Sequence, residues 1–271
     1  MITLQKVSVS LHEKEILKDI SFVIPQSRIV MILGENGSGK TTLIKSMLGK
    51  LAYEGSIAKN GVEINTLKEK ERAALFSYVP QIKELALDMR VEDCVVAGCS
   101  RELSFFQTPR KKDYERAEAI MKQFHLFHLK DKLLHEISGG ELQMCYVARA
   151  FLQDAEVMMM DEPCTYLDYQ RQHLFLQETK RLCTKKKSIL ISIHDPNLAL
   201  QYADEILLIH HGQLLAHLCK ETHDMQKECV RYYNEIYGSH FTLADKEDQF
   251  LIWKEKTYVA DTAICQSEEP R

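Results

Sequence analysis

No apolar run in this chain approaches the ~18 residues that a membrane-spanning helix needs. The N-terminus, Met1-Ile2-Thr3-Leu4-Gln5-Lys6, lacks the apolar core and small-residue cleavage site of a secretory signal, so a cytoplasmic location is expected. None of the eight cysteines (Cys94, Cys99, Cys145, Cys164, Cys183, Cys219, Cys229 and Cys265) forms a Cys-x-x-Cys pair, which leaves zinc ribbons and thioredoxin-like motifs without support. Without a secretory signal, the expectation is reduced thiols used as small core residues. The pairs His125/His128 and His210/His211 have no third ligand close by in sequence, so metal binding by them is not expected. The net charge is only −4, which gives nucleic-acid binding no electrostatic basis. Internal repeats and low-complexity linkers are absent as well.

What is present begins with length: 271 residues, 45% apolar and 27% charged, suffice for one large α/β domain or two smaller units. Gly34-Glu35-Asn36-Gly37-Ser38-Gly39-Lys40-Thr41 fits Gly-x-x-x-x-Gly-Lys-Ser/Thr, the phosphate-binding loop. The apolar run Ile29 to Leu33 before it reads as a buried parallel strand, and Thr41 to Gly49 after it as a helix. The glycines allow successive N–H groups to turn inward on an anion, and the helix adds the positive end of its dipole. Lys40 is suited to the β- and γ-phosphates of ATP and the Thr41 hydroxyl to Mg2+, with Thr42 following in the same ATP-binding stretch.

Around this loop the pattern alternates strands and helices. Leu4–Ser10 and Ile16–Ile24 read as early strands, and Lys59-Asn60-Gly61 as the turn of a hairpin between residues 55–58 and 62–64. Leu75–Gln81 reads as a strand stopped by Pro80. From Ile82 to Ile137 only helices are expected, at Val91–Ala97 and Lys111–Leu126. Leu142–Gln153 follows as a helix capped by Ser138, with Glu141 at the capping-box position. Val157–Met160 and Ser188–Ile193 read as buried strands, Tyr169–Lys185 and Leu198–Ala203 as helices, and Glu205–Ile209 with Gln213–Ala216 as a hairpin. The tail carries a helix, Asp224–Tyr237, and a strand, Phe250–Val259. From Glu221 onward eleven acidic residues outnumber six basic ones, which marks a separate C-terminal segment.

The strand ending in Asp161-Glu162 is the natural partner of the phosphate loop. An Asp at such a strand end orients Mg2+, and Glu162 beside it is a candidate general base for the attacking water. Gln81 and His194 also follow strand ends, as a magnesium or water ligand and a γ-phosphate partner respectively, or as ordinary loop residues.

The ordered set Gly34–Thr41, Gln81, Ser138-Gly139-Gly140, Asp161-Glu162, Leu167-Asp168 and His194 resembles the nucleotide-binding subunit of an ABC transporter, over residues 1 to about 220. The resemblance implies a P-loop NTPase core, a mainly parallel sheet with flanking helices. An antiparallel β flank and a helical subdomain inserted at about 82–144 complete the α/β fold. It implies an ATPase domain over 1–220 and a helix-and-strand extension over 221–271. It assigns Asp161, Thr41 and Gln81 to Mg2+, Glu162 to catalysis with Gln81 as the Q-loop and His194 as the switch histidine, and Asp168 to the D-loop. Ser138, Gly139, Gly140 and Glu141 match the signature, which in that family caps the γ-phosphate held by a second subunit. The implied partners are a second copy of the chain or a paralogous ATPase subunit, transmembrane permease subunits and, indirectly, an extracytoplasmic substrate-binding protein, with the chain peripheral on the cytoplasmic face of the membrane.

Three positions depart from the family pattern. Ile137-Ser138-Gly139-Gly140-Glu141 has Glu for the usual Gln; Glu141 serves the capping box or weakens the closed dimer by its charge, and activity is expected to survive. The usual adenine-stacking aromatic falls near Leu11-His12, where His12 is the available substitute. Cys164-Thr165-Tyr166 replaces a run of small residues, and Tyr166 is a candidate to alter communication between sites. His194-Asp195-Pro196-Asn197-Leu198-Ala199 with Tyr202-Ala203-Asp204, and Glu235-Ile236-Tyr237-Gly238, resemble importers of iron–siderophore complexes, haem and cobalamin. Lys83, Glu84 and Leu85 are candidates for the groove that receives a permease helix. Rival readings are an ABC transporter ATPase for another substrate, a soluble non-transport ABC ATPase, which usually needs two cassettes or a long coiled coil, and a regulatory nucleotide-binding module with little turnover.

Overall fold

Apolar runs without alternation build the centre of the fold. β3 (Ile29–Leu33), β7 (Val157–Asp161) and β8 (Ser188–Ile193) are buried at every position, as strands covered on both faces must be. They lie in parallel with β6 (Phe76–Val79) and β9 (Glu205–His210). With β10 (Gln213–Cys219) antiparallel at the edge, the sheet order is β10-β9-β3-β8-β7-β6. The computed structural model describes residues 1–81, 88–102, 107–165, 167–183, 187–238, 241–246 and 249–254. It parts into two compact units, residues 1–225 and 226–271.

In the first unit a four-stranded antiparallel sheet, in the order β2-β1-β4-β5, is formed by β1 (Ile2–Leu11), β2 (Lys14–Ile24), β4 (Glu54–Lys59) and β5 (Val62–Glu63). Its strands alternate buried and exposed positions, so one face meets the core. That face, helix α1 (Lys40–Met47) and one face of the parallel sheet share a cluster that includes Leu4, Ile20, Leu43, Ile44, Met47, Ile57, Met159 and Leu190. α1 is thus fixed at its buried stripe, and truncating Ile44 to Ala should cost about 2–5 kcal/mol. α3 (Val91–Val96), α4 (Lys111–Gln123) and α5 (Gly139–Leu152) pack on one another, with Phe124 and Phe151 edge to face at 5.6 Å. Arg90 and Leu133 add an isolated bridge to this helical region. Among the described residues no helix is long and apolar enough to cross a membrane.

Several element ends differ from the sequence expectation for identifiable reasons. α2 (Glu69–Leu75) was not anticipated, because Lys68-Glu69-Lys70-Glu71-Arg72 offers no apolar stripe; the Glu71 carboxylate caps it by accepting the Lys68 N–H at 2.8 Å, and it shortens the strand expected from Leu75. α7 (Pro196–Tyr202) starts two residues early, since Asp195 caps the Asn197 N–H at 2.8 Å and Pro196 suits the first turn. α6 (Tyr169–Leu182) stops before Lys185, which lies outside the described residues, as do Lys83, Glu84, Leu85 and Tyr166. The second unit holds α8 (Met225–Tyr237) from its second residue on and a hairpin of β11 (Phe241–Lys246) and β12 (Gln249–Lys254), of which β11 was not anticipated. Asn234 joins helix to hairpin, donating to the Phe241 carbonyl at 3.0 Å and accepting its N–H at 2.6 Å.

Candidate ATP site

Because β3, β6, β7 and β8 run in parallel, the segments that leave their C-terminal ends emerge along one edge of the sheet. The phosphate loop follows β3, Gln81 follows β6, Asp161-Glu162 close β7 and His194 closes β8. Gly37 and Gly39 take φ values of 81° and 107°, a region that disfavours side chains. At Gly34 an added Cβ would lie 2.3 Å from the Ile209 carbonyl oxygen. The Ser38 hydroxyl is buried with no hydrogen-bond partner, an orphan that a phosphate oxygen would satisfy. The buried Lys40 ammonium donates to the carbonyls of Gly34 (2.8 Å) and Glu35 (2.9 Å) and lies 3.3 Å from Glu162 Oε1. Asn36 is exposed at the tip of the loop, and Thr42 is half-buried on α1.

Asp161 is 2% exposed, so its carboxylate requires partners. Thr41 Oγ1 and Ser192 Oγ donate to Oδ1 at 3.0 and 2.8 Å, and the Tyr78 hydroxyl lies 3.5 Å from Oδ2. Burial, then the Asp161 charge, pushes the Tyr78 phenol up to about 12, so it stays a donor. A carboxylate paired with the loop hydroxyl is an all-oxygen donor set of the kind Mg2+ takes. Glu162 sits at φ 46°, a strained conformation for a non-glycine residue, and its N–H donates to Ser192 Oγ at 2.8 Å. Gln81 Nε2 donates to Glu162 Oε2 at 2.9 Å. His194 is exposed and lines a cleft of about 30 Å³ together with Glu162, Cys164 and Thr165. The Cys164 thiol is pushed up to about 12 by burial and by Asp195, so it is protonated and unreactive.

The Ser138 corner is built differently. Ser138 caps α5: its N–H and hydroxyl both donate to Glu141 Oε2 at 2.7 Å, and its oxygen accepts the Glu141 N–H at 3.3 Å. These bonds hold the Glu141 carboxyl below its ordinary range, the Ser138 hydroxyl being the largest cause. A Cβ at Gly139 would meet nothing within 4 Å, and one at Gly140 would make only ordinary contacts with Leu167 (3.4 Å) and Arg171 (3.5 Å). Asp168 caps α6 through the Arg171 N–H at 2.9 Å. An apolar cleft of about 320 Å³ opens beside Ser138, Gly140 and Leu167, and no phosphate-loop residue lines it.

Geometry therefore joins Lys40, Thr41, Gln81, Asp161 and Glu162 in one network, with His194 at its rim, and Gly140 with Leu167 at a separate corner. At the β1–β2 turn Leu11 packs against the core cluster and His12 is exposed. Sequence reasoning missed Ser192 and Tyr78. A lone serine inside Ile191-Ser192-Ile193 was the available signal, since a polar residue in a fully buried strand needs a specific partner.

The profile of the ABC transporter family matches residues 17–165. A protein of Helicobacter pylori named "Probable iron chelatin transport ATP-binding protein" is 35% identical over 217 residues, 79% of this chain and 85% of that protein. A hemin import ATP-binding protein of Rhizobium etli is 32% identical over 224 residues, 80% of this chain and 84% of that protein. Among solved structures, an inward-facing transporter described as of the metal-chelate type superposes with a TM-score of 0.78 at 21% identity, over 94% of this chain and 96% of that chain, a likeness of fold.

Proposed function

The chain belongs to the ABC transporter family as an ATP-hydrolysing subunit of an importer, and we propose that its cargo is an iron–siderophore, haem, cobalamin or similar metal chelate. The cargo reading rests on the names of the relatives together with the His194–Asp204 run. The observation that carries the site assignment is the contact of Thr41 with buried Asp161 beside a Glu162 held by both Lys40 and Gln81. In this reading the loop amides, the Ser38 hydroxyl and Lys40 grip the phosphates, and Thr41 and Asp161 hold Mg2+, with Gln81 as a further ligand. Mg2+ supplies charge neutralisation on the β- and γ-oxygens when bound. Glu162 takes the proton of the attacking water, and His194 hydrogen-bonds the γ-phosphate.

Ser138, Gly139 and Gly140 act on the nucleotide of a second subunit, a copy of this chain or a paralogue. The empty space in front of Gly139 supports this, because nothing in its own chain requires a glycine there. ATP then bridges the two subunits and hydrolysis releases them, a ligand-driven shift between closed and open dimers. The pair is peripheral on the cytoplasmic face, beneath permease subunits fed by an extracytoplasmic substrate-binding protein. Uptake of labelled iron chelates by a deletion strain, restored by the wild-type gene and not by Glu162→Gln, tests the cargo; uptake unchanged by the deletion would exclude it.

A further inference from the structure

β9 and β10 place three metal-ligating side chains on one face, at the end of the sheet away from the phosphate loop. Glu205 begins β9 and pairs with Val30 at the start of β3, whereas the phosphate loop leaves the other end of β3. Cys219 is the cross-strand partner of Glu205, and His217, two residues before it, points to the same side because strand side chains alternate. Leu218 between them turns the other way and is buried. Glu205 Oε2 and His217 Nε2 are 2.6 Å apart, and the carboxylate, imidazole and thiol donor atoms all lie within 4.8 Å of one another. His223 Nδ1 accepts the Cys219 N–H at 3.0 Å, so the set has three side-chain ligands, Glu205, His217 and Cys219.

From this juxtaposition we infer that Glu205, His217 and Cys219 form a binding site for a borderline divalent transition-metal ion, Zn2+ being the best match. Thiolate, imidazole and carboxylate are the ligand types zinc combines, at about 2.0–2.3 Å, and three protein ligands with a fourth open position make a usual set. Hard Mg2+ is disfavoured by the sulfur and nitrogen donors, which separates this site from the one at Asp161. Closing on an ion needs the Glu205–His217 contact to open by about an ångström and Cys219 to move in, both within side-chain rotation.

The test uses the reduced, metal-free, full-length chain titrated with Zn2+ against a chromogenic chelator. The wild type should bind one Zn2+ at least ~100-fold more tightly than His217→Ala/Cys219→Ser, and Glu205→Gln should fall between them. Co2+ in place of Zn2+ should give a thiolate-to-metal charge-transfer band that is lost in Cys219→Ser and kept in Cys183→Ser. Cys219→Ser is conservative, and equal melting temperatures of the metal-free proteins establish that it folds. Equal Zn2+ affinity in wild type and double variant, or a Co2+ band that survives Cys219→Ser, would overturn the site. Neither readout depends on ATP turnover.

Discussion

Gly34 and Gly139 are both glycines near a helix N-terminus, yet only the first is demanded by its own chain. At Gly34 a Cβ would be 2.3 Å from a backbone oxygen, while at Gly139 it would meet nothing within 4 Å. The same contrast runs through their neighbours. Lys40 and Asp161 are buried and bonded into the sheet edge, whereas Ser138 and Glu141 satisfy each other at the surface. One corner is completed by the fold. The other is closed on itself, and nothing stands within 4 Å of where a side chain at Gly139 would begin.

The largest effect should come from breaking the buried corner. Lys40→Ala should abolish tight ATP binding, at least ~100-fold by titration calorimetry, since it removes the cation that also faces Glu162. Unchanged affinity would count against the loop assignment. Glu162→Gln should lower turnover by about 10²–10⁴-fold with ATP binding retained, and normal turnover would remove Glu162 as the base.

At the surface corner effects should be smaller and should separate folding from assembly. Gly139→Ala should leave the thermal midpoint equal or raised, because alanine favours helix over glycine. It should weaken ATP-driven dimerisation by about tenfold, the scale of inserting one methyl group into a close contact. A lowered midpoint would show that the chain itself needs the glycine. Glu141→Gln should have the least effect, because glutamine also serves a capping box, and turnover should stay within about fivefold of wild type. Its pH dependence has a definite sign. Glu141 has a folded pKa below its ordinary 4.5, so the carboxylate's contribution to stability is full above 4.5 and lost as pH falls through the lower folded value. Acid melts of wild type and Glu141→Gln should therefore converge at low pH.

How much of this could be read from the sequence depended on whether chemistry or packing fixed each position. The parallel core was legible because Ile29–Leu33 and Val157–Met160 are apolar throughout and Ser188–Ile193 is apolar except for its two serines, and the phosphate loop, Asp161-Glu162 and His194 stood out because each comes at the end of such a run. α2 was not legible, since its charged stretch shows no apolar period and is held by a local cap. Tyr78 was hidden because its importance lies in reaching Asp161 from a neighbouring strand, a fact of register rather than of local sequence, and Ser192 was signalled only as a polar residue in a buried run, its partner being set by register. Glu141 was open to two readings in sequence; the bonds from Ser138 favour the cap.

Sedimentation of the Glu162→Gln protein, alone and combined with Gly139→Ala, in the presence and absence of ATP decides whether Ser138–Glu141 completes a partner's site. The expected result is a monomer without ATP, a dimer with it, and a clear loss of that dimer on adding Gly139→Ala while ATP binding per chain is unchanged. A Glu162→Gln chain that binds ATP and stays monomeric, or a dimer indifferent to residue 139, would contradict it.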